Sequence, residues 1–211
     1  MTYLESTYFY ELEHESVQEL INEFQDKDLT DKEKAIGLYL KVRDGWLYNP
    51  YSIAFKKEKY RASYLLPRKE GHCIDKSIIL IAGLRAMGIP ARLHLAKVKN
   101  HIAAERLIEK IGTNELTPHG MVDIFLNNKW LKVSPAFNAT LCERYKVEPL
   151  GFDGENDSTL QEYNAEGKLF MGYVEDYGHF DDMPLDFILN NMKTNYPILA
   201  ALYMNEETAV F

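Results

Sequence analysis

The segment that follows Cys73 constrains this chain most. Ile74, Ile78, Ile79, Leu80, Ile81, Ala82 and Leu84 lie in what reads as a helix that is apolar nearly all round. A helix of that composition has little surface to give to solvent. It opens after a glycine, at Gly71-His72-Cys73, and stops at Met87-Gly88-Ile89-Pro90. There glycine supplies a C-cap and proline stands just beyond it. Cys73 is therefore placed at a helix N-terminus, at the positive end of the macrodipole and beside unpaired backbone N–H groups. Both favour a thiolate over a thiol, which makes Cys73 a candidate nucleophile. Cysteine before an apolar helix is also a common small core residue, so the rest of the chain has to decide.

The 211 residues suffice for one full core and are short for two, so residues 1–211 are expected to form a single domain. A net charge of −8 is unlike the basic footprint of a nucleic-acid binder. The start, Met1-Thr2-Tyr3-Leu4-Glu5, lacks the basic and apolar regions of a signal peptide. No stretch approaches the roughly 20 apolar residues of a membrane span. With only Cys73 and Cys142, the expectation is free thiols in a reducing cytoplasm.

Ser16 and Glu19 fit a capping box for a short helix over 17–24, and Thr30 with Glu33 repeats it for a helix over 31–43. Residues 46–50 read as an aromatic turn, and 51–70 as a basic, solvated rim. Residues 91–98 read as a strand and 101–111 as a helix. The clearest β signal is a hairpin, with strands over 119–126 and 129–133 and Asn127-Asn128 as its turn. Residues 151–168 are polar and acidic, a surface loop long enough to act as a lid. A helix is expected from Pro184 to about Asn191, and an apolar run restarts at Pro197 and continues to Met204. Helices followed by a nucleophile helix and antiparallel strands indicate an α+β fold.

A cysteine nucleophile needs a base, and histidine has the suitable pKa. Of six histidines, His72 adjoins Cys73, but neighbouring side chains usually diverge, so a local pair is not expected. His14 lies in a charged N-terminal stretch, His94 and His101 lie in or just after the first strand, and His179 sits near Gly178 in a polar turn. His119 starts a strand between Pro118 and Gly120, where its side chain can face a cleft on a rigid support. With the turn at 127–128, paired residues have numbers summing to about 255, which sets residue 119 opposite about 136. Ser134 and Asn138 bracket that point as candidates to orient the ring.

Four stretches together resemble the transglutaminase-like superfamily. They are Gly71-His72-Cys73-Ile74-Asp75-Lys76-Ser77, Leu84-Arg85-Ala86-Met87-Gly88-Ile89-Pro90-Ala91-Arg92, His119-Gly120-Met121-Val122-Asp123-Ile124-Phe125-Leu126 and Trp130-Leu131-Lys132-Val133-Ser134-Pro135. The resemblance covers about residues 30–140, leaving 141–211 as a C-terminal extension of the same domain. It implies a papain-like, transglutaminase-core fold with the nucleophile helix packed on an antiparallel sheet, and a Cys-His-Asp triad. Cys73 matches the nucleophile and His119 the base. Where the family has aspartate, this chain has Ser134, which can accept a hydrogen bond but supplies no charge to an imidazolium. Asn138 and Asp153 are the alternative third members. The Cys73 backbone N–H is an expected oxyanion donor, and the family often adds an upstream aromatic donor, here Trp46 or Tyr48.

The implied activity is acyl transfer through a thioester on Cys73, acting on a peptide, a protein or a small amide, with hydrolysis favoured over transamidation. The competing expectation is a catalytically silent peptide-binding module, which Ser134 favours. A metal site of Cys73, His72 and His119 is disfavoured because no Cys-x-x-Cys or His-x-x-x-His spacing is present. No cofactor, metal, nucleic acid or membrane is expected. Asp75 reads as a helix-start residue, Arg85 and Arg92 as structural partners, Trp130 and Cys142 as core residues, and His179 as part of a solvated turn.

Overall fold

The computed structural model describes residues 2–25, 28–102 and 104–205. Before the cysteine come α1 (Glu15–Ile21), α2 (Asp31–Gly45), β1 (Leu47–Tyr48), α3 (Ala62–Leu65) and β2 (Glu70–Gly71). The central elements are α4 (Cys73–Ala86), β3 (Ala91–Asn100), α5 (Ala104–Ile111), β4 (Glu115–Leu126) and β5 (Lys129–Val133). The chain continues through α6 (Ala139–Tyr145), β6 (Met171–Phe180), α7 (Leu185–Asn195) and α8 (Pro197–Asn205).

The apolar segment is α4, and every residue from Cys73 to Arg85 on it is buried. Its apolar circumference needs cover on all sides, and the fold supplies two layers. On one side lies an antiparallel sheet in the order β5-β4-β3-β6; on the other lie α1, α2 and α3. The fold is α+β with the cysteine helix packed on an antiparallel sheet. Its buried cations have backbone partners. Arg85 donates to the carbonyls of Ala91, Glu5 and Asp181. Arg92 instead pairs with Asp123 and stacks on Trp130.

The hairpin has the expected register, with Val122 opposite Val133 and Phe125 opposite Trp130. Asn127 and Asn128 take φ of 49° and 62°, as a two-residue turn of this kind demands. The Thr30–Glu33 capping box starts α2 as expected. Helix α1 starts one residue before the expected box, because His14 caps it and accepts from the Ser16 N–H. Strand β4 begins at Glu115 instead of 119, since its first residues pair with Val98 and Lys99 beyond a register shift that leaves one extra residue on β4.

Edge strand β6 was not expected from the sequence. All four residues from Tyr173 to Asp176 are exposed, so it carries no alternation of buried apolar and exposed polar side chains. His179 lies exposed on that strand opposite His94, not in a turn. The 151–168 loop is tied along β5, with Ser158 exchanging backbone hydrogen bonds with Lys132 and Ser134. Tyr196, between α7 and α8, is instead bonded to β4, at Thr117 and Glu115. Among the described residues no helix is long and apolar enough to cross a membrane.

Candidate active site

Cys73 is the first residue of α4 and is 1% exposed. Its sulfur reaches the sheet because residue 120 is glycine. A Cβ there would lie 2.9 Å from the Ile74 Cα, closer than such atoms pack. With no side chain in the way, the Gly120 N–H donates to Sγ at 3.3 Å. His119, the residue before it, is likewise buried, and neither ring nitrogen has a hydrogen-bond partner among the described residues.

His72 lies where the sequence reading did not put it. As N-cap of α4 it has an extended backbone, φ −74° and ψ 166°. This folds its ring over the first helical turn, so that Nδ1 accepts from the Ile74 N–H at 3.4 Å. Nε2 then lies 3.5 Å from Cys73 Sγ. Asp75 completes the capping box by accepting from the His72 N–H at 2.9 Å. The adjacent side chains converge because one of them is a cap and the other begins the helix.

Three candidates for the third position have other partners. Ser134 is buried and held by its main chain: its N–H donates to Ser158, and its carbonyl accepts from the Tyr39 hydroxyl. Asn138 accepts from the Tyr48 N–H at 2.9 Å and donates to the Thr140 hydroxyl at 2.7 Å. Asp153 is exposed and caps its own turn, accepting from the N–H groups of Glu155 and Asn156. None of the three hydrogen-bonds His119.

The aromatic segment upstream is fixed against the cysteine. Tyr48 pairs with Gly71 in the short parallel β1–β2 ladder, and its ring meets Phe137 edge-on. Its hydroxyl is buried with no partner among the described residues, as is Trp46 Nε1. Lys76, fully buried on α4, donates to the carbonyls of Arg43, Trp46 and Ala136, each at 2.8 Å. One ammonium thus ties the nucleophile helix to the loops carrying Trp46 and Phe137. A cavity of about 690 Å³ adjoins this wall, lined by Tyr48, Phe137, Leu116, Tyr145, Phe170 and Leu199. The Tyr196 hydroxyl ties the C-terminal helices to β4, accepting from the Thr117 N–H and donating to the Glu115 carbonyl.

Burial sets the protonation states. It pushes the Cys73 thiol up to about 12, against the downward pull of the Gly120 N–H and of the N–H groups of Ile74 and Cys73 itself. The sequence reading of a depressed thiol pKa therefore does not hold for the covered site, because desolvation outweighs the helix N-terminus. Burial also lowers His119 to about 4, and lowers His72 to about 3 with His119 nearby adding to the effect. At neutral pH the thiol and both rings are uncharged. Sequence reasoning missed His72 and Gly120 as neighbours of the sulfur. The box formed by His72 and Asp75, three residues apart, was the signal that could have found the first. Cys142 is a free, buried thiol that accepts from the Gln161 amide. Among the described residues no three histidine, cysteine or acidic side chains converge as a metal site.

The family model for the transglutaminase-like superfamily matches residues 18–135. No curated protein matches. Among solved structures the chain is similar to "a Putative Cysteine Protease from Cytophaga hutchinsonii", with 15% identity and a TM-score of 0.47. That likeness covers 64% of this chain and 40% of the other, so the chain spans well under half of that protein's length.

Proposed function

The chain belongs to the transglutaminase-like superfamily, and from that membership and the site's geometry we propose a cysteine-dependent acyl-transfer enzyme. Cys73 attacks the carbonyl carbon of an amide or isopeptide. His119 takes the thiol proton and passes it to the departing amine, leaving an acyl-thioester on Sγ. Water then releases the acid and regenerates the thiol; an amine in its place would give transamidation. We favour hydrolysis, since a protein that cross-linked freely would be hazardous in the cytoplasm, its proposed compartment. The Cys73 N–H and the unpartnered Tyr48 hydroxyl are the proposed oxyanion donors. The observation that carries this reading is the helix-terminal sulfur held 3.3 Å from the N–H that follows His119.

The test is intact-mass analysis of the Cys142→Ser protein with a p-nitrophenyl ester as acyl donor. A Cys73 adduct that forms and discharges, and is lost in His119→Ala, supports the enzyme. Discharge to water or to an added amine separates hydrolysis from transamidation.

A second reading, a peptide-binding module without turnover, is favoured by Ser134 in the family's aspartate position and by a His119 ring without partners. It predicts no adduct under any of these conditions.

A further inference from the structure

Tyr48 belongs both to the site and to the cavity beside it. Its main chain pairs with Gly71, two residues before the nucleophile, and the next N–H, that of Asn49, donates to the Gly71 carbonyl at 3.0 Å. Burial raises the Tyr48 phenol well above its ordinary value, and the neighbouring Cys73 sulfur raises it further. From Tyr48 a run of aromatic rings continues along the cavity wall. Ring centroids lie 4.8 Å apart between Tyr48 and Phe137, 5.7 Å between Phe137 and Phe170, and 6.0 Å between Phe170 and Tyr145. Leucines of α5, β4, α6 and α8 complete the lining.

The volume of about 690 Å³ lies inside the range of roughly 300–1,000 Å³ typical of pockets that enclose a small organic ligand. The charges on the lining balance, Glu70 and Glu109 against Lys110 and Arg144. Glu70 accepts from the Asn49 amide at 2.9 Å, and the other three are exposed to solvent. Rings and aliphatic side chains form the rest of the surface, and a neutral, apolar occupant is the one they desolvate at least cost.

We propose that this cavity receives a bulky, uncharged apolar group of the substrate, attached next to the scissile carbonyl, and so selects amides that carry one. The proposal rests on the reading of Cys73 as nucleophile. Tyr48 joins the two parts, since its hydroxyl is the proposed oxyanion donor and its ring begins the aromatic wall. Burial of a group that does not react supplies binding energy with which to position the one that does. Such a group belongs either to the acyl chain or to the departing amine, and the apolar contact is the same in both cases.

Chain length reads out the cavity. In the Cys142→Ser protein, acylation is compared for p-nitrophenyl butyrate and octanoate, esters of similar intrinsic reactivity. Discharge of the acetyl-enzyme is compared for butylamine and octylamine. Dissociation constants of butanamide and octanamide are measured by ligand-observed NMR on the Cys73→Ala protein, which needs no turnover. Leu199→Trp and Leu141→Trp fill the cavity from α8 and α6. Each is checked by a thermal melt, and because they lie on different helices, one that fails to fold leaves the other.

Each buried methylene gives roughly a three- to fourfold gain, so octanamide is expected to bind on the order of a hundredfold more tightly than butanamide. A preference of the same order for octanoate assigns the group to the acyl side, and one for octylamine assigns it to the amine side. The filled variants are expected to bring the amide ratio close to one. Equal affinity for the two amides overturns the proposal. So does a preference for octanamide that survives in a folded, filled variant, because the chain then binds elsewhere. Acylation and discharge that both ignore chain length overturn it as well. If no ester acylates Cys73, yet the amide preference is present and is lost in the filled variants, the enzyme reading fails while the apolar site stands.

Discussion

Gly120→Ala tests the contact on which the site geometry depends. The added Cβ would lie 2.9 Å from Ile74 Cα, 3.0 Å from its Cγ1 and 3.1 Å from its N. Carbon atoms pack at roughly 3.5–4.0 Å, so the start of α4 and strand β4 must separate by about half an ångström or more. Two of the three atoms are backbone in a buried helix and cannot rotate away. Overpacking of this kind costs about 1–3 kcal/mol. The loss of glycine's freedom in the unfolded chain returns about 0.4–1 kcal/mol. The net expectation is a destabilisation of about 1–2 kcal/mol, read as a lower urea midpoint at unchanged slope. The same displacement lengthens and weakens the 3.3 Å contact from the Gly120 N–H to Sγ, so the alkylation profile of Cys73 should also move to higher pH. A variant as stable as the parent would refute the packing argument. A destabilised variant with an unmoved profile would refute the claim that this N–H stabilises the thiolate.

Three further changes probe other parts of the site. Tyr48→Phe removes a buried hydroxyl that has no partner among the described residues, so stability should hold or rise, while acylation by a p-nitrophenyl ester falls on the order of a hundredfold if that hydroxyl is an oxyanion donor; an unchanged rate excludes the role. Lys76→Met tests the buried ammonium, whose folded pKa burial lowers to about 7 from an ordinary 10.5. The unfolded state binds more protons between those values, so parent stability relative to the variant should climb as pH rises from about 7 to about 10.5, by up to about 1.4 kcal/mol per unit. It should stay flat below 7, and a difference independent of pH across both ranges would mean the ammonium is not desolvated. Ser134→Asp restores a carboxylate at the family's third position and should raise the His119 pKa from about 4, followed by NMR titration of the ring; an unmoved titration would show that position 134 does not face it.

Helix α4 and the β4–β5 hairpin were readable in the sequence because their signals are local. A glycine opens and another closes the apolar run, and paired asparagines with positive φ make the turn. The register of the hairpin followed from its turn alone. Other features depend on what lies across the fold. Asn138 looked free to orient a ring, but its amide holds the Tyr48 main chain. Asp153 carries a charge, but its own turn takes up the carboxylate. Strand β6 has an exposed edge and two glycines, so no periodicity marks it. The thiol pKa was misread for the same reason. A helix N-terminus is visible in sequence, whereas the depth at which it is buried is not, and here depth decides.

The serine at 134 and the depth of the site bear on the same energetic problem. A third charge would stabilise the imidazolium of a thiolate–imidazolium pair in a dry cleft, and an uncharged hydroxyl does not provide one. With the thiol pushed up to about 12 and His119 held down to about 4, the proton stays on sulfur while the site is covered. Neutral donors work under that restriction. The Gly120 N–H adds no net charge to the cleft, yet strengthens in effect as the anion forms. The ion pair then becomes accessible when a substrate carbonyl or solvent supplies polar contacts that the covered site withholds.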